Sequence, residues 1–247
     1  MSGRTAWDLS TARFAIYYAP PEAGRWWEEG SRWLGRDAIT GRFLDAPKVP
    51  GLSCTVHDAT VDARRYGWHG TLKAPMRLAP GARLGDLREV ALAVAARHGP
   101  FTLAMRPGVL PAGSGQRSDF AGFVALCPGA GATPVNVLAE DCVRAFETLR
   151  APLTDAETAK RRAQSLSSRQ GEYLAAWGYP FVFDEFRFHM TLSDRVGTSD
   201  AAAIVDWWQP RVQTLGPMCV DSLAIFVEPA PGAPFVLHER FALGGRA

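Results

Sequence analysis

Apolar residues along this 247-residue chain recur with period two in several short runs, and with helical spacing in the longer stretches between them. Phe14-Ala15-Ile16-Tyr17-Tyr18 is aromatic and aliphatic and stops at Pro20-Pro21, which predicts a strand. Residues 22–35 predict a helix with Trp26, Trp27, Trp33 and Leu34 on its apolar side and Gly35 as its stop. Residues 36–66 carry no clear period and are punctuated by Gly41, Pro47, Pro50 and Gly51. They predict an irregular connection of the kind that commonly borders a functional site. Leu84, Leu87, Val90, Ala91 and Val94 predict a helix over 84–98, ended by Gly99-Pro100.

Strands are predicted at 101–105 and 120–126, joined by the Gly/Ser-rich residues 108–119. A helix over 135–149 starts behind Thr133-Pro134. Thr154-Asp155-Ala156-Glu157 opens one helix or two short ones reaching Trp177, ended by Gly178-Tyr179-Pro180. A helix over 199–212 and strands at 218–227 and 235–241 complete the pattern.

Two further strand-like segments carry unusual polar faces. In Trp68-His69-Gly70-Thr71-Leu72-Lys73, alternation puts His69, Thr71 and Lys73 on one face. In Arg187-Phe188-His189-Met190-Thr191-Leu192-Ser193 it puts Arg187, His189, Thr191 and Ser193 on one face and Phe188, Met190 and Leu192 on the other. Each His-x-Thr segment is followed by a helix and then strands at matching offsets, so the chain reads as an architectural repeat with units near 68–127 and 186–243. The expected fold is α+β: a single bilobed domain over 1–247, with pseudo-twofold duplicated antiparallel sheets, helices outside and a central cleft.

Composition narrows the classes. With 47% apolar and 21% charged residues the chain is an ordinary globular one, and a net charge of +2 is too weak for a protein that coats nucleic acid. Cys54, Cys127, Cys142 and Cys219 lack the paired spacing of a zinc site or a disulfide framework. Met1 to Thr11 has no apolar signal-peptide core, and no apolar run reaches the roughly 18 residues of a membrane span, so a cytoplasmic protein with no membrane element is expected.

Two imidazoles facing each other can share one proton and so act as base and acid at neutral pH. The hydroxyls of Thr71 and Thr191 can donate to phosphate oxygens, with Lys73 and Arg187 as candidate cations and Tyr17 as a further contact from the first strand. Each has a bland reading: a lone strand histidine is usually structural, threonine is common in strands, and strand charges are usually solvated. The duplication favours function for the two His-x-Thr pairs. Lys160-Arg161-Arg162 reads either as a solvated helix face or as a contact for phosphate or a substrate tail, and Arg169 and Gln170 are similar. His57, His98 and His238 lack a hydroxyl partner and are expected to be structural, as are most of the eight tryptophans.

Paired His-x-Thr strands half a chain apart resemble the two-histidine (2H) phosphoesterase superfamily. Arg13 to Pro20, Trp33 to Asp37, His69 to Pro75, Trp177 to Pro180 and Phe186 to Leu192 are similar to its bacterial subfamily associated with phosphonate metabolism, a likeness spanning about residues 13–243. Trp68 and Gly70 depart from that pattern, which would have Phe and Ala. The resemblance implies metal-independent hydrolysis of a small cyclic phosphate without a cofactor, catalysed by His69, Thr71, His189 and Thr191, with phosphoribosyl 1,2-cyclic phosphate as favoured substrate. An RNA-end or nucleoside 2′,3′-cyclic phosphodiesterase, a metallohydrolase and a noncatalytic phosphate-ligand sensor are the competing readings. The weak charge argues against a large RNA footprint. Oligomeric state and the division of acid and base between the histidines stay open.

Overall fold

The computed structural model describes residues 7–111, 120–163 and 165–245. Its elements run β1 (Arg13–Tyr18), α1 (Arg25–Leu34), α2 (Val61–Tyr66), β2 (Gly70–Met76), α3 (Leu84–Ala95), β3 (Phe101–Leu103), β4 (Met105–Leu110) and β5 (Phe120–Pro128). They continue through α4 (Thr133–Ala145), α5 (Asp155–Arg162), α6 (Ser168–Trp177), β6 (Met190–Gly197), α7 (Thr198–Leu215), β7 (Met218–Val220), β8 (Ser222–Glu228) and β9 (Val236–Ala242). The protein is α+β, and its strand pairings are antiparallel.

The order strand, helix, three strands occurs twice, as β2-α3-β3-β4-β5 and as β6-α7-β7-β8-β9. The seven-stranded sheet nevertheless mixes the two runs, in the order β4-β5-β6-β2-β1-β8-β9. Strand β6 lies beside β5 and β4 of the earlier run, while β2 reaches β8 and β9 of the later run through β1. A separate ribbon pairs β3 with β7, one strand from each run. The two wings of the large sheet meet only where Gly70 pairs with Met190, on β2 and β6. Packing of α7 against β4, β5 and β6, of α4 against β2, and of α3 against β8 and β9 builds one apolar core between the sheet and the helices. Among the described residues no helix is long and apolar enough to cross a membrane.

Several differences from the periodicity have local causes. Residues 36–66 are not all irregular: a 3-10 turn at Asp58–Thr60 leads into α2. The backbone N–H groups of Asp62 and Ala63 donate to the Asp194 carboxylate at 2.8 and 2.9 Å, so a β6 side chain satisfies the start of this six-residue helix. Between Thr154 and Trp177 there are two helices, each with its own capping box: Thr154 with Glu157, and Ser167 with Gln170. Of the 108–119 connection, Gly108 to Leu110 belong to β4, and residues 112–119 lie outside the described residues.

Strand alternation also breaks at one place in each histidine strand. Leu72 and Lys73 are buried in succession, as are Leu192 and Ser193 at the equivalent positions. The register opposite them slips: Ile16 pairs with Lys73 while Tyr17 pairs with Thr71, and Phe123 pairs with Arg195 while Ala125 pairs with Thr191. These bulges turn Lys73 and Ser193 off the face that alternation assigns them.

Packing accounts for the two departures around His69. A Cβ at Gly70 would lie 2.4 Å from Phe188 Cζ, so the ring crosses the β2–β6 junction over a position that must stay bare. The ring of Trp68 occupies the space a side chain at position 30 would need, and stacks on Trp208 at 5.9 Å.

Candidate active site

The junction of the wings sets the geometry. With Gly70 opposite Met190 in antiparallel register, the adjoining positions face each other, His69 across from Thr191 and Thr71 across from His189. Both His-x-Thr pairs therefore lie on one face of the junction, with the histidines at opposite corners of a small square. Diagonal side chains of this kind have Cβ atoms about 7–8 Å apart, a gap the size of a phosphate group with hydrogen bonds on either side. His189 lies close enough to His69 to lower its pKa.

Each imidazole is oriented by the carbonyl two residues before it. His69 Nδ1 lies 2.8 Å from the Gly67 carbonyl, and His189 Nδ1 lies 2.8 Å from that of Arg187. A carbonyl only accepts, so Nδ1–H donates in both rings and Nε2 of each neutral ring keeps its lone pair. For His69 that lone pair faces the Thr71 hydroxyl at 3.2 Å. Gly67 adopts φ 77°, and a Cβ there would lie 2.6 Å from the Ala38 side chain, so glycine is needed to turn this carbonyl under the ring.

Burial pushes both imidazoles below the usual histidine range. His69 falls to about 4, chiefly through desolvation and further through His189, against the opposing effect of the Gly67 hydrogen bond. His189 is lowered by desolvation, opposed by its bond to Arg187. Tyr17 stacks under His69 with ring centroids 3.8 Å apart and planes 24° apart, and burial raises its phenol well above the usual value. Phe123 flanks His189 at 5.4 Å.

The other expected contacts are placed differently. Lys73 is 5% exposed, and its Nζ donates to the Val143 carbonyl at 2.9 Å and to Glu147 at 3.0 Å, tying β2 to α4. Burial lowers its pKa, opposed by Glu147. Arg187 folds back onto the carbonyls of Asp184 and Phe186, at 2.8 and 2.7 Å. The Ser193 hydroxyl accepts from Val124 N–H at 3.0 Å, filling the break that the bulge leaves in the β5–β6 ladder. Two of the histidines set aside as structural are indeed off this face: His98 bonds Asp141 at 2.8 Å, and His238 packs edge-on against Trp7. Among the described residues no group of three or more His, Cys, Asp or Glu is gathered as a metal ion would need.

A cleft runs along β2 from Thr71 to Arg77, walled by Arg13 and by residues of the 143–161 and 177–182 segments. Arg13, Arg150, Arg161 and Tyr179 line it. Arg161 belongs to the basic cluster noted in the sequence. Arg13 shares the alternation face of Ala15 and Tyr17 on β1, a signal that could have singled it out.

The chain is 36% identical over 247 aligned residues to a Janthinobacterium sp. (strain Marseille) protein named ribose 1,5-bisphosphate phosphokinase PhnN, covering 96% of this chain and 52% of that one. It is 38% identical over 234 residues to the protein of the same name from Laribacter hongkongensis (strain HLHK9), covering 91% and 50%. The chain thus spans about half the length of these relatives. The backbone overlaps that of TT0787 from Thermus thermophilus with a TM-score of 0.48 at 17% identity, covering 95% of this chain and all of that one. It overlaps E. coli LigT complexed with NADP+ with a TM-score of 0.39 at 17% identity, covering 94% and 98%. A family profile described as "Protein of unknown function (DUF1045)" matches residues 71–236, more than half of the chain, and the chain belongs to that family.

Proposed function

We propose that the protein is a metal-independent phosphodiesterase of the two-histidine kind that opens a small cyclic phosphate with water. The observation that carries this reading is the Gly70–Met190 pair, which sets two His-x-Thr pairs on one face with both Nδ1 atoms engaged by backbone carbonyls. The Nε2 of one ring takes a proton from water as its oxygen attacks phosphorus. The bond from phosphorus to one ring oxygen breaks, and the other imidazolium gives that alkoxide its proton. The hydroxyls of Thr71 and Thr191 donate to the nonbridging oxygens as their charge grows. Burial holds His69 at about 4 and so neutral at pH 7, which suits it to act as the base and leaves the acid to His189.

The favoured substrate is phosphoribosyl 1,2-cyclic phosphate, in the phosphonate breakdown that the sequence resemblance implies. Hydrolysis at its phosphorus–O2 bond frees the 2-hydroxyl and leaves ribose 1,5-bisphosphate, the compound in the name of the longer relatives. The chain has no G-x-x-x-x-G-K-[ST] loop, so the kinase activity in that name is assigned to the half of those relatives that it does not span. A hydrolase that makes the kinase substrate is a coherent partner for that half.

The test is to incubate purified protein with phosphoribosyl 1,2-cyclic phosphate and nucleoside 2′,3′-cyclic phosphates, with and without chelator, and follow products by phosphorus NMR. Turnover is expected to survive chelation and to fall roughly 10²–10⁴-fold in His69→Ala and in His189→Ala. No turnover of any compound, or turnover lost in chelator and restored by a divalent cation, would overturn the reading.

A further inference from the structure

The charge balance of the cleft along β2 is uneven. Glu147 serves two cations, Lys73 at 3.0 Å and Arg150. Glu228, fully buried, also serves two: it bonds Arg13 Nε and lies 3.6 Å from Arg65. Arg77 is matched one to one by Glu157 at 3.0 Å. Arg161 has no carboxylate partner among the described residues; its guanidinium lies over the Tyr179 ring at 5.3 Å. Five cations line the cleft, Arg13, Lys73, Arg77, Arg150 and Arg161, against the three carboxylates of Glu147, Glu157 and Glu228 that pair with them, which leaves a surplus of about two positive charges.

A cyclic phosphodiester brings one negative charge, and at neutral pH a phosphomonoester brings about one and a half to two. The cyclic diester alone leaves about one of these charges unmatched, and a phosphomonoester on the same substrate matches it. Arg13 is fixed through Nε by Glu228, which leaves its outer nitrogens free of that bond, and Arg13, Arg161 and Tyr179 all line the cleft that holds Thr71. Arg161 lies close enough to Tyr179, and Arg13 to Tyr17, to oppose the rise that burial causes in each phenol.

We propose that Arg13, Arg161 and Tyr179 form a second anion subsite, which holds a phosphomonoester carried by the substrate away from its cyclic phosphate. This rests on the hydrolase reading above and narrows it, because it selects cyclic phosphates of sugars that bear a further phosphate. Arg161 supplies the cation that no carboxylate among the described residues satisfies, Arg13 a cation locked in direction, and the Tyr179 hydroxyl a donor. A planar guanidinium held by one edge can present its other edge to two phosphate oxygens.

The experiment compares ribose 1,2-cyclic phosphate with and without a 5-phosphate in wild type, Arg161→Gln and Arg162→Gln. Arg162 is the exposed neighbour on α5, does not line the cleft and undergoes the same change of charge. Wild type should prefer the 5-phosphorylated compound in kcat/KM, and Arg161→Gln should reduce that preference about 10- to 100-fold. Arg162→Gln should keep the wild-type preference. Calorimetric binding of ribose 5-phosphate, which has no cyclic phosphate, should weaken in Arg161→Gln alone. If neither cyclic compound is hydrolysed but ribose 5-phosphate binds in an Arg161-dependent way, the hydrolase reading fails and the subsite stands. If wild type does not bind ribose 5-phosphate, or Arg161→Gln behaves like Arg162→Gln, the subsite is overturned.

Discussion

Adding one methyl group at Gly70 probes the junction on which the candidate site depends. In Gly70→Ala the new Cβ would stand 2.4 Å from Phe188 Cζ and 2.5 Å from Cε2, against a normal carbon–carbon contact of about 3.5 Å or more. The ring or the strand must give by about 1 Å. Phe188 is 3% exposed and lies against buried Tyr18, so the ring has little room to retreat. Overpacking of this kind costs about 1–3 kcal/mol. Because Gly70–Met190 is the pair at which β2 and β6 meet, part of the displacement would appear as separation of the two His-x-Thr pairs. A misplacement near 1 Å costs on the order of 10²-fold in rate. Urea unfolding of wild type, Gly70→Ala, Phe188→Leu and the double variant measures the coupling, provided m is constant. Phe188→Leu removes the ring and should itself cost about 1–2 kcal/mol. In the double variant the methyl group has space, so its cost should be at least about 1 kcal/mol below the sum of the single variants. A cycle additive within about 0.5 kcal/mol would refute the steric argument, as would a Gly70→Ala protein as stable as wild type.

Two further expectations concern His69 and Lys73. His69 drops from 6.5 to about 4 because burial disfavours its charged form; below pH 6.5 the unfolded chain takes up a proton that the folded one refuses. The neutral ring's contribution is thus complete above pH 6.5 and is lost as pH falls toward 4, by about 2 kcal/mol at pH 5, less what solvent at the part-exposed ring screens. Between pH 8 and pH 5, wild type should therefore lose about 1–2 kcal/mol more than His69→Gln in urea unfolding, and equal losses would count against the shift. Lys73→Met removes the tie from β2 to Val143 and Glu147 while Glu147 keeps Arg150, so stability should fall by about 1–3 kcal/mol. A tenfold rise in KM at unchanged stability would instead return Lys73 to the substrate.

Much of the element order is legible in the sequence because period and punctuation are local properties. The strand at Phe14 to Tyr18, the helix after Arg83 and the strands through Thr71 and Thr191 follow from side-chain alternation and from Gly or Pro stops, although these last two begin at Gly70 and Met190, one residue after each histidine. Three features needed tertiary information. Helix α2 is too short to stand out by propensity, and its start is satisfied by Asp194 from a distant strand. The bulges that swing Lys73 and Ser193 off the expected face arise from pairing with β1 and β5, which a single strand does not reveal. The direction of Arg187 is set by the carbonyls of its own turn, a choice alternation cannot express. Arg161 was visible as one of three basic neighbours, but only the cleft distinguishes it from Arg162.

The exchange of strands between the two runs bears on how such a chain comes into being. The wing containing β2 is completed by β8 and β9, which lie beyond residue 221, and the wing containing β6 is completed by strands made before it. A nascent chain that has emerged only as far as β5 has one of the two His-x-Thr pairs, an unfinished sheet and an open β5 edge where β6 will later dock. Contacts of such long sequence separation carry a high loop-closure cost and form late. Severing the chain between β5 and α4 would leave each fragment holding edges whose partners lie in the other, so neither half is a smaller version of the whole. The doubling visible in the order of elements is one of mutual dependence, since each wing is completed by strands of the other run.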